Sequence, residues 1–567
     1  MYKGIAGSEG IGIGNAALIK EQELRYEQNS ALSAAEETAR FDAAVEELIE
    51  KTNAMADEMR ENVGEKEAEI LMGHSLMLSD PAMTDEVRGI IAQGLTSEAA
   101  AEQVFETFAG MFEATGDELT MQRATDLRDV KTGIIKTLQG VKDVDIKSLP
   151  RGSVIVVNDL TPSMTAGINK NNVVGIVTEV GGRTSHSAIL ARALEIPAVL
   201  SVEGITDKIE DGARLIVDGI KGEVIGNPDA GAESEYMEKK AVYDKQKKEL
   251  EKLIGEPTVT ADGAKVELVC NIGKPDDCAA VIEKDGEGVG LFRTEFLYMD
   301  SDQKPSEDEQ FEAYRKVAMT MKGKPVIIRT LDVGGDKDIP YLGLEKEENP
   351  FLGYRAVRYC IQNKELYKDQ LRALLRASAF GNIKIMIPLV TCVEEVRQVK
   401  AMIKEIMSEL DAENIAYDKD IQVGVMTETP AAAAIADLLA EEADFFSIGT
   451  NDLTGYTMAV DRGNAKVAYL YSAYQPAVLR NIKRIIESGK EKGIMVGMCG
   501  EAASDPLLIP LLISFGLDEF SVSPSAVLAT RDVIRKWSKD EADKAADEAM
   551  KCFTEAEVVE VLKKHKK

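Results

Sequence analysis

The chain of 567 residues holds only three histidines, and one of them stands in "GGRTSHSAILARALEIPAV", residues 181–199. Paired glycines and Arg183 precede His186, and an apolar helical stripe follows it until "EIP" stops the pattern. The spacing predicts a helix whose N-terminus lies at His186. Free N–H groups and the helix dipole favour an anion there. An imidazole so placed stays neutral and nucleophilic, and a phosphoryl group carried on it would be stabilised. A satisfied structural histidine is the plainer reading of a lone His.

A second set of reactive residue types falls at the ends of apolar runs in the C-terminal half. "GVGLFRTE" ends in Arg293, Thr294 and Glu295, and "PVIIRTLD" delivers Arg329. "IQVGVMTET" delivers Glu428, "DFFSIGTND" ends in Asn451 and Asp452 with Arg462 in the loop beyond, and "IMVGMCGE" ends in Cys499, Gly500 and Glu501. Buried strands do not usually finish in charges unless those charges meet a ligand. Three arginines can hold a phosphate and a carboxylate through bidentate forks. Glu428 and Asp452 are hard oxygen donors suited to Mg²⁺. A lone thiol beside them suits proton transfer at carbon, or nucleophilic attack. Taken singly, each has a plainer reading: a rim ion pair, a balancing carboxylate, a buried thiol acting as a small hydrophobe. Their recurrence at successive run ends favours a site.

These residues need elements to hold them. From residue 258 onward, eight short apolar runs alternate with helix-like segments or longer loops: the five runs above with "KVELVCNIG", "IKIMIPLV" and "EFSVSP". Near-continuous apolar runs suit strands buried on both faces, so residues 258–567 are expected to form a (β/α)8 TIM barrel, whose chemistry gathers where strands pass into loops. Residues 145–222 carry shorter β-type runs such as "SVIVVND" and "VVGIVTEV" and hold His186; they read, with residues 1–20, as a compact α/β domain. Residues 1–20 read locally as Gly-rich turns before a short strand, "NAALIK". Their Gly10, Gly12 and Gly14 give G-x-G-x-G without a following helix, which is not a dinucleotide loop. Residues 21–144 are nearly free of proline and helically periodic, and read as an inserted all-helical domain. Residues 223–257, charged and helical, read as a linker.

Charge narrows the partners. The net charge of −31 argues against nucleic acid and anionic membrane surfaces. Residues 21–144 hold 27 acidic against 11 basic side chains, a face that would attract a basic protein. His74 lies in that segment, where it could meet a partner or serve the structure; His565 lies in the basic tail "LKKHKK", expected to fray. No signal peptide and no apolar run long enough to span a bilayer is expected. Six scattered cysteines without a C-x-x-C pair suit free thiols in a reducing cytoplasm.

The motifs "GGRTSHSAILARALEIPA", "GVGLFRTEFLYMD", "IIRTLDVGGDK", "NPFLGYRAVR", "GVMTETPAAA", "DFFSIGTNDLTGYTMAVDRGN" and "GMCGEAASDP" together resemble the family of Enzyme I, the phosphoenolpyruvate–protein phosphotransferases of the bacterial sugar phosphotransferase system, over essentially the whole chain. The resemblance implies a multidomain α/β protein with a swivelling phosphohistidine domain. By it, His186 is phosphorylated by phosphoenolpyruvate, and Thr165 hydrogen-bonds the imidazole. Arg293, Arg329, Arg462 and Asn451 hold substrate, Glu428 and Asp452 bind Mg²⁺, and Cys499 protonates the enolpyruvate carbon. It also implies that the helical domain docks the phosphocarrier HPr and that the barrel forms a homodimer. A silent sensor on the same fold, or a transferase serving a nitrogen-regulation carrier, are the alternatives. Gly455 in "NDLTGYT", where Gln is common, the loop "GEAASDP" and "YLYSAYQPAVL" depart from the usual pattern but spare the proposed chemical groups.

Overall fold

The computed structural model describes the chain except for residues 21–23, 63–64, 114–117, 142–145, 162–163, 165–167, 183–184, 300, 302, 335–338, 462–463 and 465. The described residues form two compact units, Met1–Lys247 and Lys248–Lys567.

In the first unit, an eight-stranded mixed sheet is built from β1 (Tyr2–Lys3), β2 (Ile5–Ser8), β3 (Ile11–Ile19), β4 (Ser153–Val157), β5 (Val173–Thr178), β6 (Ala198–Leu200), β7 (Arg214–Asp218) and β8 (Glu223–Gly226). Their order is β1-β8-β7-β3-β4-β5-β6-β2. The central β3, β4, β5 and β6 run parallel, and the flanking pairs are antiparallel. The N-terminal residues expected as turns are therefore mostly strand. Gly12 and Gly14 do not serve turning: a Cβ on them would lie 2.1 Å from the Val174 carbonyl oxygen and 2.2 Å from that of Gly152. They let neighbouring backbones approach closely. The sheet also runs to Gly226, into the stretch read from sequence as linker, before the helix Ala230–Glu251 begins.

Alternation along β4 divides its side chains between two faces. Val154 and Val156 pack with Val177, Val199 and Leu215. Ile155 and Val157 pack with Ala188 and Leu190 of the helix His186–Ala193, and the same cluster takes in Ala56, Met59 and Leu71 from the helices Ala34–Asn62 and Glu65–Ser79. A separate helical core gathers Phe41, Val87, Ile91, Val104, Phe105, Leu127 and Ile134. Among the described residues no helix is long and apolar enough to cross a membrane.

The second unit is a closed barrel of eight parallel strands: β9 (Glu267–Ile272), β10 (Val289–Arg293), β11 (Val326–Arg329), β12 (Ile383–Ile387), β13 (Val423–Thr427), β14 (Phe445–Ile448), β15 (Met495–Met498) and β16 (Glu519–Val522). Each lies within one of the eight apolar runs, and β11, β13, β14 and β16 are buried along their whole length. Leu291, Ile327, Met386, Met426, Phe445 and Cys499 fill the interior. Their strand neighbours, such as Phe292, Ile328 and Ile385, face outward into the layer of helices. Those helices are amphipathic: Val478, Leu479, Ile482, Ile485 and Ile486 form the buried stripe of Pro476–Lys492, which starts on proline and ends at Gly493 with φ +71°. The C-terminal tail is not frayed. A capping box at Thr554 starts a helix that runs to His565, whose Nε2 lies 3.2 Å from Glu548.

Candidate active site

The β10–β11 ladder closes on the pair Arg293 and Arg329, so two guanidinium-bearing residues leave adjacent strands at one level. Arg293 is exposed, whereas Arg329 is buried at 7 % exposure. Arg329 Nη2 donates to Glu295 Oε1 at 2.5 Å, and its Nη1 lies 3.0 Å from Asp332 Oδ2 and 3.6 Å from Met426 Sδ. Its buried Nε has no hydrogen-bond partner among the described residues. Asp332 accepts from Arg355 Nη2 at 2.8 Å, and the same nitrogen lies 3.5 Å from Asp452 Oδ2. The result is a line of alternating charge, Glu295–Arg329–Asp332–Arg355–Asp452, along the C-terminal rim of the barrel. Burial works against both guanidinium charges. Glu295 and Asp332 around Arg329, and Asp332 and Asp452 around Arg355, outweigh it and hold both above the ordinary arginine range.

Glu428, just past β13, is buried at 2 % exposure, and its Oε1 accepts the Leu389 N–H at 2.6 Å. Burial, with Asp452 and Asp332 adding to it, pushes its carboxyl up to about 8. Leu389 reaches it from a left-handed backbone at φ +56°, and Ala356, beside Arg355, sits at φ +53°. Such strain in non-glycine residues persists only where the surroundings over-determine it, and it clusters at sites. Beyond β14 and β15, Asn451 Nδ2 donates to Glu501 Oε1 at 3.4 Å, and the Glu501 N–H donates back to Asn451 Oδ1 at 3.2 Å. The Cys499 thiol points into the barrel interior beside Met426 and Leu291, 3.8 Å from the Ile448 carbonyl oxygen. Burial raises it to about 11 against the pull of Arg329, so the sulfur keeps its proton at neutral pH.

Of the residues singled out in sequence, the structure brings Arg329, Glu428, Asp452 and Cys499 into one electrostatic neighbourhood, with Arg293 alongside and Asn451 next to Asp452 on the helix Thr450–Met458. Thr165, Arg183 and Arg462 lie outside the described residues. His186 belongs to the first unit and is described through its backbone, as the first residue of its helix with Ser185 as N-cap; Ser185 Oγ accepts the Ala188 N–H at 3.4 Å. His74 is buried at 4 % exposure, its ring nitrogens 3.4 Å from Asp126 and 3.8 Å from Asp129. Arg355 escapes a reading of run ends because it sits in a loop between strands, whereas Asp332 closes the run "PVIIRTLD", of which only Arg329 is a candidate by sequence. The signal available was a charged pair inside motifs otherwise rich in apolar residues, "RTLDVGG" and "FLGYRAVR".

This rim can grip a small, multiply charged anion and offer a proton from sulfur. The model of the PEP-utilising enzyme PEP-binding domain matches residues 247–539, that of the mobile domain residues 149–222, and that of the N-terminal domain residues 3–123. The chain belongs to the PEP-utilising enzyme family. It is 47% identical to the phosphoenolpyruvate-protein phosphotransferase of Bacillus subtilis (strain 168) over 562 residues, 99% of both chains. It is 44% identical over 566 residues to the protein of the same name from Staphylococcus carnosus (strain TM300), spanning 100% of this chain and 99% of that one. A solution structure titled Enzyme I (nEIt) matches 43% of this chain and all of its own, at 39% identity and a TM-score of 0.39. Within the PEP-utilising family assignment, the charged rim falls in the PEP-binding domain, and His186 falls in the mobile domain.

Proposed function

We propose that this protein transfers the phosphoryl group of phosphoenolpyruvate to His186 and then to the phosphocarrier HPr, releasing pyruvate. The observation that carries the reading is the rim itself: two buried guanidinium groups among three carboxylates, Glu295, Asp332 and Asp452, with a protonated thiol that feels the charge of Arg329. Phosphoenolpyruvate brings about three negative charges near neutral pH, and desolvated arginines held in fixed geometry neutralise them without reorganising. Arg293, Arg329 and Arg462 would hold the phosphate and carboxylate with Asn451, and Arg355 joins them from its loop. The imidazole of His186, oriented by Thr165, attacks phosphorus as the bond to the enol oxygen breaks. Enolpyruvate leaves, and the proton on Cys499 passes to its terminal carbon to give pyruvate; the thiolate then recovers a proton from solvent.

Glu428 and Asp452 fit a divalent cation of the Mg²⁺ type: both are hard oxygen donors, they feel one another's charge, and Asp452 keeps 22% of its side chain open to solvent. Bound there with substrate oxygens and water, such an ion would neutralise charge on the transferring phosphoryl group.

His186 and the barrel belong to separate units, so we assign the sheet domain, residues 1–20 and 145–226, a swivelling role between barrel and carrier, pivoting about the linker that follows Gly226. The helices of residues 21–144 supply the acidic face for HPr, and barrel residues 258–567 supply a homodimer contact. The reading is tested with labelled phosphoenolpyruvate and Mg²⁺. The wild-type chain should take up one acid-labile phosphate, and His186→Ala should take up none. Undiminished labelling of His186→Ala would end the proposal.

A further inference from the structure

Behind the rim lies a buried polar network that the chemistry above does not use. The helix Glu307–Thr320 supplies Gln310 and Tyr314, and the helix Lys364–Ser378 supplies Gln370; all three are 0 % exposed, as is Thr294. Gln370 Oε1 accepts the Leu331 N–H at 2.9 Å. Because that backbone group can only donate, the orientation of the amide is fixed and Nε2 must face the other way. There it donates to Thr294 Oγ1 at 3.2 Å and to the Tyr314 hydroxyl at 3.2 Å. Thr294 Oγ1 in turn donates to the Arg329 carbonyl at 2.8 Å. The Tyr314 hydroxyl donates to Gln310 Oε1 at 3.1 Å, as does Tyr298, and Gln310 Nε2 donates to the Pro305 carbonyl at 3.1 Å. Each hydroxyl and amide is thus assigned one hydrogen-bond direction.

Burying a glutamine costs free energy unless all its groups are bonded, and a leucine would fill the same space between helix and barrel. What the amide adds is a bridge. The β10–β11 ladder stops at Arg293 and Arg329, so the residues beyond it have no rung between them. Gln370 supplies that rung: one end holds Thr294, between Arg293 and Glu295, and the other holds Leu331, beside Asp332.

We infer that Gln370 and Thr294 are positioning residues, which set the spacing of the Arg293 and Arg329 guanidinium groups for phosphoenolpyruvate. The inference rests on the reading of those arginines as substrate-binding. A shift of the rim by a fraction of an ångström would weaken in-line alignment in the first half-reaction and leave transfer from phosphorylated His186 to HPr untouched. In the full-length protein, Thr294→Val and Gln370→Met should lower kcat/KM for phosphoenolpyruvate on the order of tenfold to a hundredfold. After prolonged loading, both should discharge to purified HPr at the wild-type rate. Thr294→Ser keeps the oxygen and should behave as wild type. Thr294→Val loading within about twofold of wild type, or Thr294→Ser as impaired as Thr294→Val, overturns the inference. The two Thr294 variants decide the matter if Gln370→Met does not fold. Arg293→Ala, at an exposed position, separates the two readings. Normal loading of that variant removes the arginine assignment itself. Impaired loading of it beside a normal Thr294→Val removes the positioning role alone.

Discussion

At the scale of single residues, burial decides what each ionisable group can do. The Cys499 thiol is held near 11 by burial, so at neutral pH it is an acid ready to donate and a poor nucleophile. Of the two roles the sequence left open, this supports the proposed one, proton transfer, over covalent attack. Cys499→Ala should slow pyruvate release by roughly a hundredfold to ten-thousandfold, the span of a lost general acid. It should also let solvent protonate the enol from either face. Pyruvate formed in deuterated water from stereospecifically labelled phosphoenolpyruvate would then lose its chirality, and retained chirality would exclude this role. Glu519, the first residue of β16, is a different case. It is 1 % exposed, and neither of its oxygens has a hydrogen-bond partner among the described residues. Burial pushes it up to about 8, with Glu267 adding and Lys384 opposing. The folded state therefore binds a proton that the unfolded chain has already released between its ordinary value near 4.5 and 8. Stability from this group is full below the lower value and is lost as pH rises through the upper one. Glu519→Gln should flatten the fall in Tm between those two pH values, with the largest gain at the alkaline end; an unchanged slope in calorimetry would contradict this.

At the scale of elements, the rim owes its geometry to short helices and loops that follow the strands. Asn451 and Asp452 ride on the helix Thr450–Met458, which closes on Ala459 in the left-handed region at φ +53°, its N–H bonded to the carbonyls of Gly455 and Tyr456. Helices commonly end this way, but on glycine, because a Cβ costs roughly 1 kcal/mol in that conformation. Ala459 is exposed, so its methyl group gives little packing in return. Ala459→Gly should raise stability by about 0.5–1 kcal/mol in denaturant titration and leave catalysis unchanged. A loss of stability would mean that the unfolded chain's added freedom outweighs the relieved strain. The strands themselves were legible because the barrel buries them on both sides, which forces unbroken apolar runs. Of the N-terminal strand β3, only the half after the glycines was, as part of "NAALIK". Its glycines look like turn formers in sequence, and only the neighbouring carbonyls 2.1 and 2.2 Å from where a Cβ would stand explain them.

At the scale of the whole molecule, charge governs encounter. The chain carries −31, about half of it in residues 21–144, and a basic carrier should be steered toward that segment. The rate constant for HPr phosphorylation should fall steeply between ~20 mM and ~500 mM salt as the Debye length shrinks, while loading of His186 from saturating phosphoenolpyruvate changes far less. Equal salt dependence of both half-reactions in stopped-flow measurements would discard steering. His74, buried between two aspartates, is closed to such a partner, which the sequence could not reveal.

The sequence alone determined the barrel, the acidic helical segment and the candidate groups at the strand ends. Those follow from local rules: side-chain periodicity records which faces are buried, and charges ending apolar runs mark where burial stops. Tertiary structure decided which charges meet. Arg355 joins Asp332 and Asp452 from a loop far along the chain, and Gln370 bridges two strand ends from the back of a helix. No periodicity encodes such contacts, because they depend on distances through space between segments far apart in sequence, and those distances are fixed only once the barrel has closed.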